Sequence, residues 1–368
     1  MKKKIAILGS TGSIGKNLLD IINDDKKNFE VVLLTAKKNY KTLLKQATNF
    51  KVKNIIIIDQ ESYKKAKQIN KNNKINIYND FKDFNKIFIS KIDYTMSSII
   101  GLDGLYPTLD IIKYTKTIAI ANKEAIICGW NLIKKKLNLY KTKFLPVDSE
   151  HFSIWKILKS QKIENIDQIF ITASGGPFLN KSINQIKNVK VSAALKHPNW
   201  KMGKKISIDS ATMMNKVFEV VETKNIFSVS YKKISILIHP KSYIHAIVKF
   251  NDGTSQFLTH EPSMKIPIFN TLYLNHSKKI KSKNLDIDIL NNLKLKKIDK
   301  NIFPVIKILE SLPSKSSLFE TVVVSANDQL VNLFINKKIN FHEISKNILK
   351  IINMIEFQKY KKIKPKYI

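Results

Sequence analysis

The 368-residue chain contains no arginine; all 64 of its basic residues are lysine. Arginine is the side chain best suited to bidentate recognition of bases and phosphates, so a formal net charge of +35 built wholly from lysine argues against a dedicated nucleic-acid reader. Lysine, asparagine and isoleucine crowd stretches such as 64–77 and 278–300. Such a drift, spread over all surfaces, predicts loose, salt-sensitive adhesion to polyanions and no specific nucleic-acid partner. Cysteine is almost missing. Cys128 stands alone, which excludes an intrachain disulfide and a multi-cysteine zinc cluster and fits a reducing cytoplasm. No apolar run approaches the about 20 residues that span a bilayer, and Met1–Lys4 leads into too short an apolar run for a signal peptide. No membrane partner is expected. The length suits two or three domains, and a hydrophobic content of 43% is ordinary for a globular protein.

The apolar run Phe144–Val147 ends in Asp148-Ser149-Glu150-His151. In extended backbone Asp148 and Glu150 would point the same way, and two adjacent carboxylates resist ionising together unless a cation lies between them. Hard divalent ions favour such all-oxygen sites. The pair reads as a candidate metal site or as a solvated turn at a strand end.

At the N-terminus a short strand, Lys4–Leu8, runs into Gly9-Ser10-Thr11-Gly12-Ser13-Ile14-Gly15 and then a helical pattern. Strand, glycine-rich turn and helix are the context of a dinucleotide site, where backbone amides approach a pyrophosphate at a helix start. The spacing is GxxGxxG, not GxGxxG. A second strand, Phe29–Ala36, ends in Lys37-Lys38-Asn39, which suits a ribose 2′-phosphate and so NADPH over NADH. Further strands are expected at Asn54–Asp59, Tyr94–Ile100, Thr117–Ala121 and Leu145–Glu150, alternating with helices. That alternation predicts a parallel sheet covered on both faces. Asn122-Lys123-Glu124 follows one of these strands, either contacting ligands at the carboxyl edge of the sheet or capping the next helix.

Gln168–Ala173 reads as a strand leading into Ser174-Gly175-Gly176-Pro177, an anion-binding turn or an ordinary one. His197-Pro198-Asn199-Trp200-Lys201-Met202-Gly203 reads as a lid or as a core tryptophan with a structural histidine. Read as one helix, Ser210–Glu219 presents Asn215, Lys216 and Glu219 on one turn. Ser210 and Lys216 suit a phosphate, while Glu219 could complete a ligand set with Asp148 and Glu150. Ile234–Ile238, Ile244–Phe250 and Ser255–Thr259 predict an antiparallel sheet with a turn at 251–253. Apolar residues at helical spacing from Phe303 to Ile355 predict a closing helical domain.

Six ordered motifs together resemble the 1-deoxy-D-xylulose 5-phosphate reductoisomerase family. They are GSTGSIG at 9–15, ANKE at 121–124, PVDSEH at 146–151, SGGPF at 174–178, HPNWKMGKKISIDSATMMNK at 197–216 and IHPKSYIH at 238–245. The resemblance implies an α/β fold with a Rossmann-like NADPH domain at 1–149 and a catalytic and dimerisation α+β domain at 150–277, its lid at 197–205. A linker at 278–302 and a shortened helical domain at 303–368 would follow. It implies retro-aldol rearrangement of 1-deoxy-D-xylulose 5-phosphate and NADPH reduction to 2-C-methyl-D-erythritol 4-phosphate, in a cytoplasmic homodimer. Asp148, Glu150 and Glu219 would ligate Mn2+ or Mg2+, forming the catalytic set with Lys123 and His197. Thr11, Gly12, Ser13, Ile14, Lys37, Lys38, Asn39, Asn122, Glu124 and Gly203 would contact the cofactor. Lys123, Ser149, Glu150, Glu219, Ser174, Ser210, Asn215 and Lys216 would hold the phosphorylated substrate, with His197, Trp200 and Met202 closing over it. Departures include Lys37 in place of a usual glycine, Ser263 and Lys265 in place of an aspartate and an arginine, and a lysine-rich tail at 361–366.

Two other readings compete. A semialdehyde dehydrogenase would use Cys128 as nucleophile, needing a nearby base and no metal. A lysine-rich binding protein on a degraded scaffold would hold polyanions in a salt-sensitive way.

Overall fold

The computed structural model describes residues 1–70, 74–200, 202–274 and 278–367. Lys201, inside the expected lid, and 275–277, at the end of the expected catalytic and dimerisation domain, lie outside the described residues.

Seven strands form the first sheet: β1 (Lys3–Leu8), β2 (Phe29–Ala36), β3 (Asn54–Ile57), β4 (Asn76–Tyr78), β5 (Ile92–Ser97), β6 (Thr115–Ile120) and β7 (Lys143–Pro146). Their order is 4-3-2-1-5-6-7, and every pair is parallel. Ile5, Ala6, Ile7 and Leu8 are all fully buried, as a strand covered on both faces requires. β4, three residues long, is too short for periodicity to mark it and is an addition to the expected strands. The chain steps outward from β1 to β4 and then resumes on the other side at β5. Such a reversal opens a crevice at the carboxyl ends of β1 and β5, where ligands of doubly wound sheets collect.

The turn after β1 shows why glycine is required there. Gly9 has φ +83°, and a Cβ on Gly15 would lie 2.5 Å from Ser10 Cα and 2.7 Å from Gly9 O. Backbone cannot yield as a flexible side chain can, so Gly15→Ala is expected to cost about 1–3 kcal/mol by overpacking. A urea midpoint equal to that of the parent chain would refute this.

The second sheet holds β8 (Ile166–Ala173), β9 (Ile234–Ile238), β10 (Ile244–Phe250), β11 (Ser255–Thr259) and β12 (Lys296–Lys297), ordered 11-10-8-9-12. The expectation of an antiparallel sheet needs one correction: β8 and β9 run parallel. Between them lie the helices Lys204–Thr212 and Met214–Phe227, a crossover long enough to bring the chain back in the same direction. The expected single helix Ser210–Glu219 is likewise two helices, broken at Met213, whose φ is +67°.

Helices Phe319–Ile335 and Phe341–Ile352 close the fold, the second started by a capping box of Asn340 and Glu343. Phe319, Val323 and Val324 share one apolar cluster with Val217 and Phe218 of the central helix and with Ile169 and Ile171 of β8. The C-terminal helices therefore buttress the central sheet. The lysine-rich tail is tied back to them: Leu318 N–H donates to Ile363 O at 2.7 Å, and the Lys361 ammonium sits 4.8 Å from the centre of the Phe319 ring.

Candidate active site

β7 stops at Pro146, and Asp148 caps the helix Ser149–Ile157, accepting the Glu150 N–H at 3.3 Å. The expected extended stretch Leu145–Glu150 is thus corrected. Proline ends the ladder by lacking an N–H, and aspartate is a favoured helix cap. The two acids meet through first-turn geometry instead. Glu219 reaches them from helix Met214–Phe227, and one oxygen from each of Asp148, Glu150 and Glu219 lies within 4.8 Å of the others.

Cations already serve these acids. Lys216 Nζ bridges Glu150 Oε1 and Glu219 Oε2 at 2.5 Å each. Lys123 Nζ donates to Asn215 Oδ1 at 2.7 Å and Asp148 Oδ2 at 3.1 Å, with Glu219 Oε1 at 3.4 Å. Asn215 Nδ2 also donates to Glu219. Burial, and then the neighbouring Glu219 charge, push the Glu150 carboxyl up to about 8. Burial also works against the Asp148 charge, but Lys123 and His151 outweigh it and hold that carboxyl well below the usual range. Three carboxyl groups, two buried and Asp148 half-buried, that accommodate an ammonium among them form an all-oxygen donor set suited to a hard divalent cation.

His197 sets up the opposite wall. Its Nδ1 accepts the N–H groups of Asn199 at 3.1 Å and Trp200 at 3.0 Å, so the proton of the neutral ring sits on Nε2. Burial, then Lys216, lower this histidine to about 4, so it is neutral at pH 7. Nε2–H donates to Ser174 Oγ at 3.0 Å, and Gly176 N–H donates to the same oxygen at 3.1 Å. With its oxygen accepting twice, Ser174 keeps its own hydrogen for a ligand. Asn199 Nδ2 fastens the segment to Pro240 O at 2.7 Å and Ser242 Oγ at 2.9 Å, and Trp200 packs edge-on to His245.

The three acids, Lys123, Lys216, Asn215, Ser174, His197 and Trp200 line one cavity of about 280 Å³. Gly12, Ser13 and Ile14 form one end; Asn122, Lys123, Glu124, Asp148, Ser149 and Glu150 form the floor. Ser174, His197, Trp200, Met202, Gly203, Ser210, Asn215, Lys216 and Glu219 complete it. Thr11, Lys37, Lys38 and Asn39 lie outside this cavity: Lys37 pairs with Asp103 at 2.7 Å on the surface, and Asn39 caps a helix through Thr42 N–H. Asn122 caps its helix, accepting Ala125 N–H at 2.7 Å, and also lines the cavity. Cys128 is buried outside the cavity, and burial pushes its thiol up to about 12, which removes the thiolate that a dehydrogenase nucleophile needs.

Sequence reasoning assigned no role to His151, Glu222 or Lys205. His151 Nε2 lies 3.0 Å from Glu219 O and 3.1 Å from Thr223 Oγ1, and its Nδ1 is 3.5 Å from Asp148 and 3.9 Å from Glu222. The i, i+3 spacing from Glu219 to Glu222 was the available signal.

Histidine burial makes the fold acid-sensitive. His245 and His260 stack at 3.7 Å; burial holds His245 well below its ordinary value and lowers His260 to about 4. The unfolded chain binds these protons more readily, so their stabilisation is complete above about pH 6.5 and is lost as pH falls toward 4. His260→Phe is expected to flatten this slope, measured as urea midpoints at pH 7, 6, 5 and 4. An unchanged slope would exclude His260 as its source.

Among the described residues no helix is long and apolar enough to cross a membrane. Family models for 1-deoxy-D-xylulose 5-phosphate reductoisomerase match residues 5–129, and two models for its C-terminal domains match 144–227 and 260–366. The chain is 62% identical over 368 residues to the 1-deoxy-D-xylulose 5-phosphate reductoisomerase of Pelagibacter ubique, covering 100% of this chain and 95% of that one. Its fold is similar to that of the Zymomonas mobilis enzyme in complex with NADPH, with TM-score 0.88, 32% identity, and 100% and 94% of the two chains covered. It is also similar to a reductoisomerase in complex with NADPH, fosmidomycin and magnesium, with TM-score 0.89, 31% identity, and 97% and 90% covered. The chain belongs to the 1-deoxy-D-xylulose 5-phosphate reductoisomerase family.

Proposed function

We propose that the chain converts 1-deoxy-D-xylulose 5-phosphate to 2-C-methyl-D-erythritol 4-phosphate, by rearrangement and NADPH reduction, in the non-mevalonate route to isoprenoids. One observation carries this reading: a three-carboxyl cluster and the glycine-rich turn after β1 open into the same cavity. Bound there, Mn2+ or Mg2+ supplies Lewis acidity and NADPH supplies hydride. Asp148, Glu150 and Glu219 hold the ion. Lys123 and Ser149 orient the substrate oxygens beside it.

Ser174, Ser210, Asn215 and Lys216 grip the phosphate, a remote anchor whose binding energy positions the reacting carbons. His197, Trp200 and Met202 cover the substrate and exclude water. Thr11 to Ile14 receive the pyrophosphate, Lys37, Lys38 and Asn39 the 2′-phosphate, and Asn122, Glu124 and Gly203 the nicotinamide side. A cytoplasmic homodimer belongs to the same reading. Its contact is assigned to β11, an edge strand with Phe257 half-exposed.

Ser174→Ala removes the preset donor. Its expected effect is a rise in substrate KM of about tenfold, from one lost charge-assisted hydrogen bond, with NADPH KM unmoved. A changed NADPH KM instead would argue that the serine faces the cofactor. The reading as a whole is tested by following NADPH oxidation with 1-deoxy-D-xylulose 5-phosphate, with and without Mn2+ and then with a chelator, followed by product analysis. Metal-dependent formation of 2-C-methyl-D-erythritol 4-phosphate is the expected result. Binding of NADPH without oxidation would overturn the substrate assignment.

A further inference from the structure

Lys205 is the last residue of the expected lid at 197–205 and lies in the first turn of helix Lys204–Thr212; its ammonium is shared among three carboxylates from three parts of the chain. It lies 2.7 Å from Glu124 Oε1, 3.0 Å from Asp209 Oδ2 one turn along its own helix, and 3.0 Å from Asp328 Oδ1 on helix Phe319–Ile335. The ammonium donates hydrogen bonds to Glu124 and Asp209, while Asp328 Oδ1 is held by charge alone. The Lys205 side chain is 22% exposed, against 6% for Glu124 and 2% for Asp209. The Phe218 ring centre is 5.4 Å away and adds a cation–π contact. Asn327, fully buried beside Asp328, donates from Nδ2 to Asp209 Oδ1 at 2.7 Å.

Glu124, Lys205 and Asp209 all line the cavity, and Asp328 stands behind them outside its lining. Glu124 lies in the first turn after β6, lines the wall between the glycine-rich turn and the metal-binding acids, and has Lys205 as its one ion-pair partner among the described residues. A buried carboxylate that loses its cation either swings toward water or takes up a proton. Either change would move the wall that faces the cofactor.

We propose that Lys205 is a positioning residue for the nicotinamide cofactor. It fixes the Glu124 carboxylate and joins the cavity wall to helix Lys204–Thr212 and to the C-terminal helix Phe319–Ile335, so that the C-terminal helices contribute to NADPH affinity. The inference rests on the reading of this end of the cavity as the NADPH site.

The test is NADPH affinity, measured by fluorescence titration without substrate or turnover, in the full chain. Lys205→Met and Glu124→Gln are each expected to weaken binding about tenfold. Their combination should be no weaker than the poorer single variant, because both remove one interaction. Lys205→Arg should recover affinity to within about threefold, and substrate KM should move less than about twofold in all of these variants. Additive losses, or NADPH affinity in Lys205→Met equal to that of the parent chain, would overturn the proposal.

Should Lys205→Met fail to fold, Asp328→Asn carries the test, since that side chain is 30% exposed and lies outside the cavity lining. It is expected to weaken NADPH binding about threefold, and unchanged affinity would overturn the link to the C-terminal helix. Failure of the parent chain to bind NADPH would remove the cofactor reading and this inference with it. Binding by the parent chain, undiminished in the variants, would remove this inference alone.

Discussion

Glu219→Gln is expected to lower kcat/KM at least about a thousandfold, equivalent to about 4 kcal/mol of transition-state stabilisation. The substitution keeps size and removes charge at the point where three chains of contact meet: Lys216 at 2.5 Å, Lys123 at 3.4 Å and the Asn215 amide. Two acids would then remain against two ammonium groups, so the proposed ion loses both a ligand and the negative field that attracts it. Steady-state kinetics at saturating Mn2+, with Mn2+ affinity from electron paramagnetic resonance, measure the two losses separately. NADPH affinity should stay within about twofold, because the side-chain partners of Glu219 are Lys123, Asn215 and Lys216 and none belongs to the glycine turn. Unchanged metal dependence would exclude Glu219 as a ligand.

Lys123→Met is expected to destabilise the metal-free protein by about 3–5 kcal/mol, the usual cost of stripping a buried ion cluster of one partner. Lys123 is buried and faces Asp148, Glu219 and Glu222, the last at 4.0 Å. Burial opposes its charge, yet these carboxylates outweigh burial and hold the ammonium well above its ordinary range. Added Mg2+ should restore more stability to the variant than to the parent chain, because the ion replaces part of the missing positive charge. Urea unfolding with chelator and with Mg2+ reads both effects. Equal stability in chelator would mean that the carboxylates tolerate one another without Lys123.

The glycine turn was legible because its signal is local: strand, glycines and helix occupy 3–23 without interruption. Asp148 and Glu150 were legible as residue types but not in their geometry. The same eight residues suit a strand that continues or a strand that ends in a helix cap, and only the pairing of β7 with β6 decides between them. The direction of β9 depended on the crossover before it, which no feature within the strand records. Lys205 was hidden for another reason. Its partner Glu124 is 81 residues away, and in a chain with 64 lysines one more carries no signal of its own.

Asp148 does two jobs with one carboxylate, ending the loop after β7 by capping a helix and facing the other two acids. A side chain committed to a cap has already given up its rotamer freedom, so an ion held as proposed would meet a ligand whose conformational entropy was lost during folding, not during binding. The double duty also narrows what position 148 can tolerate. Asparagine caps as well but brings no charge; glutamate keeps the charge but is a poor cap; serine caps and cannot ionise. Of the common capping residues, aspartate alone meets both demands, so helix start and ion affinity at this position cannot drift independently.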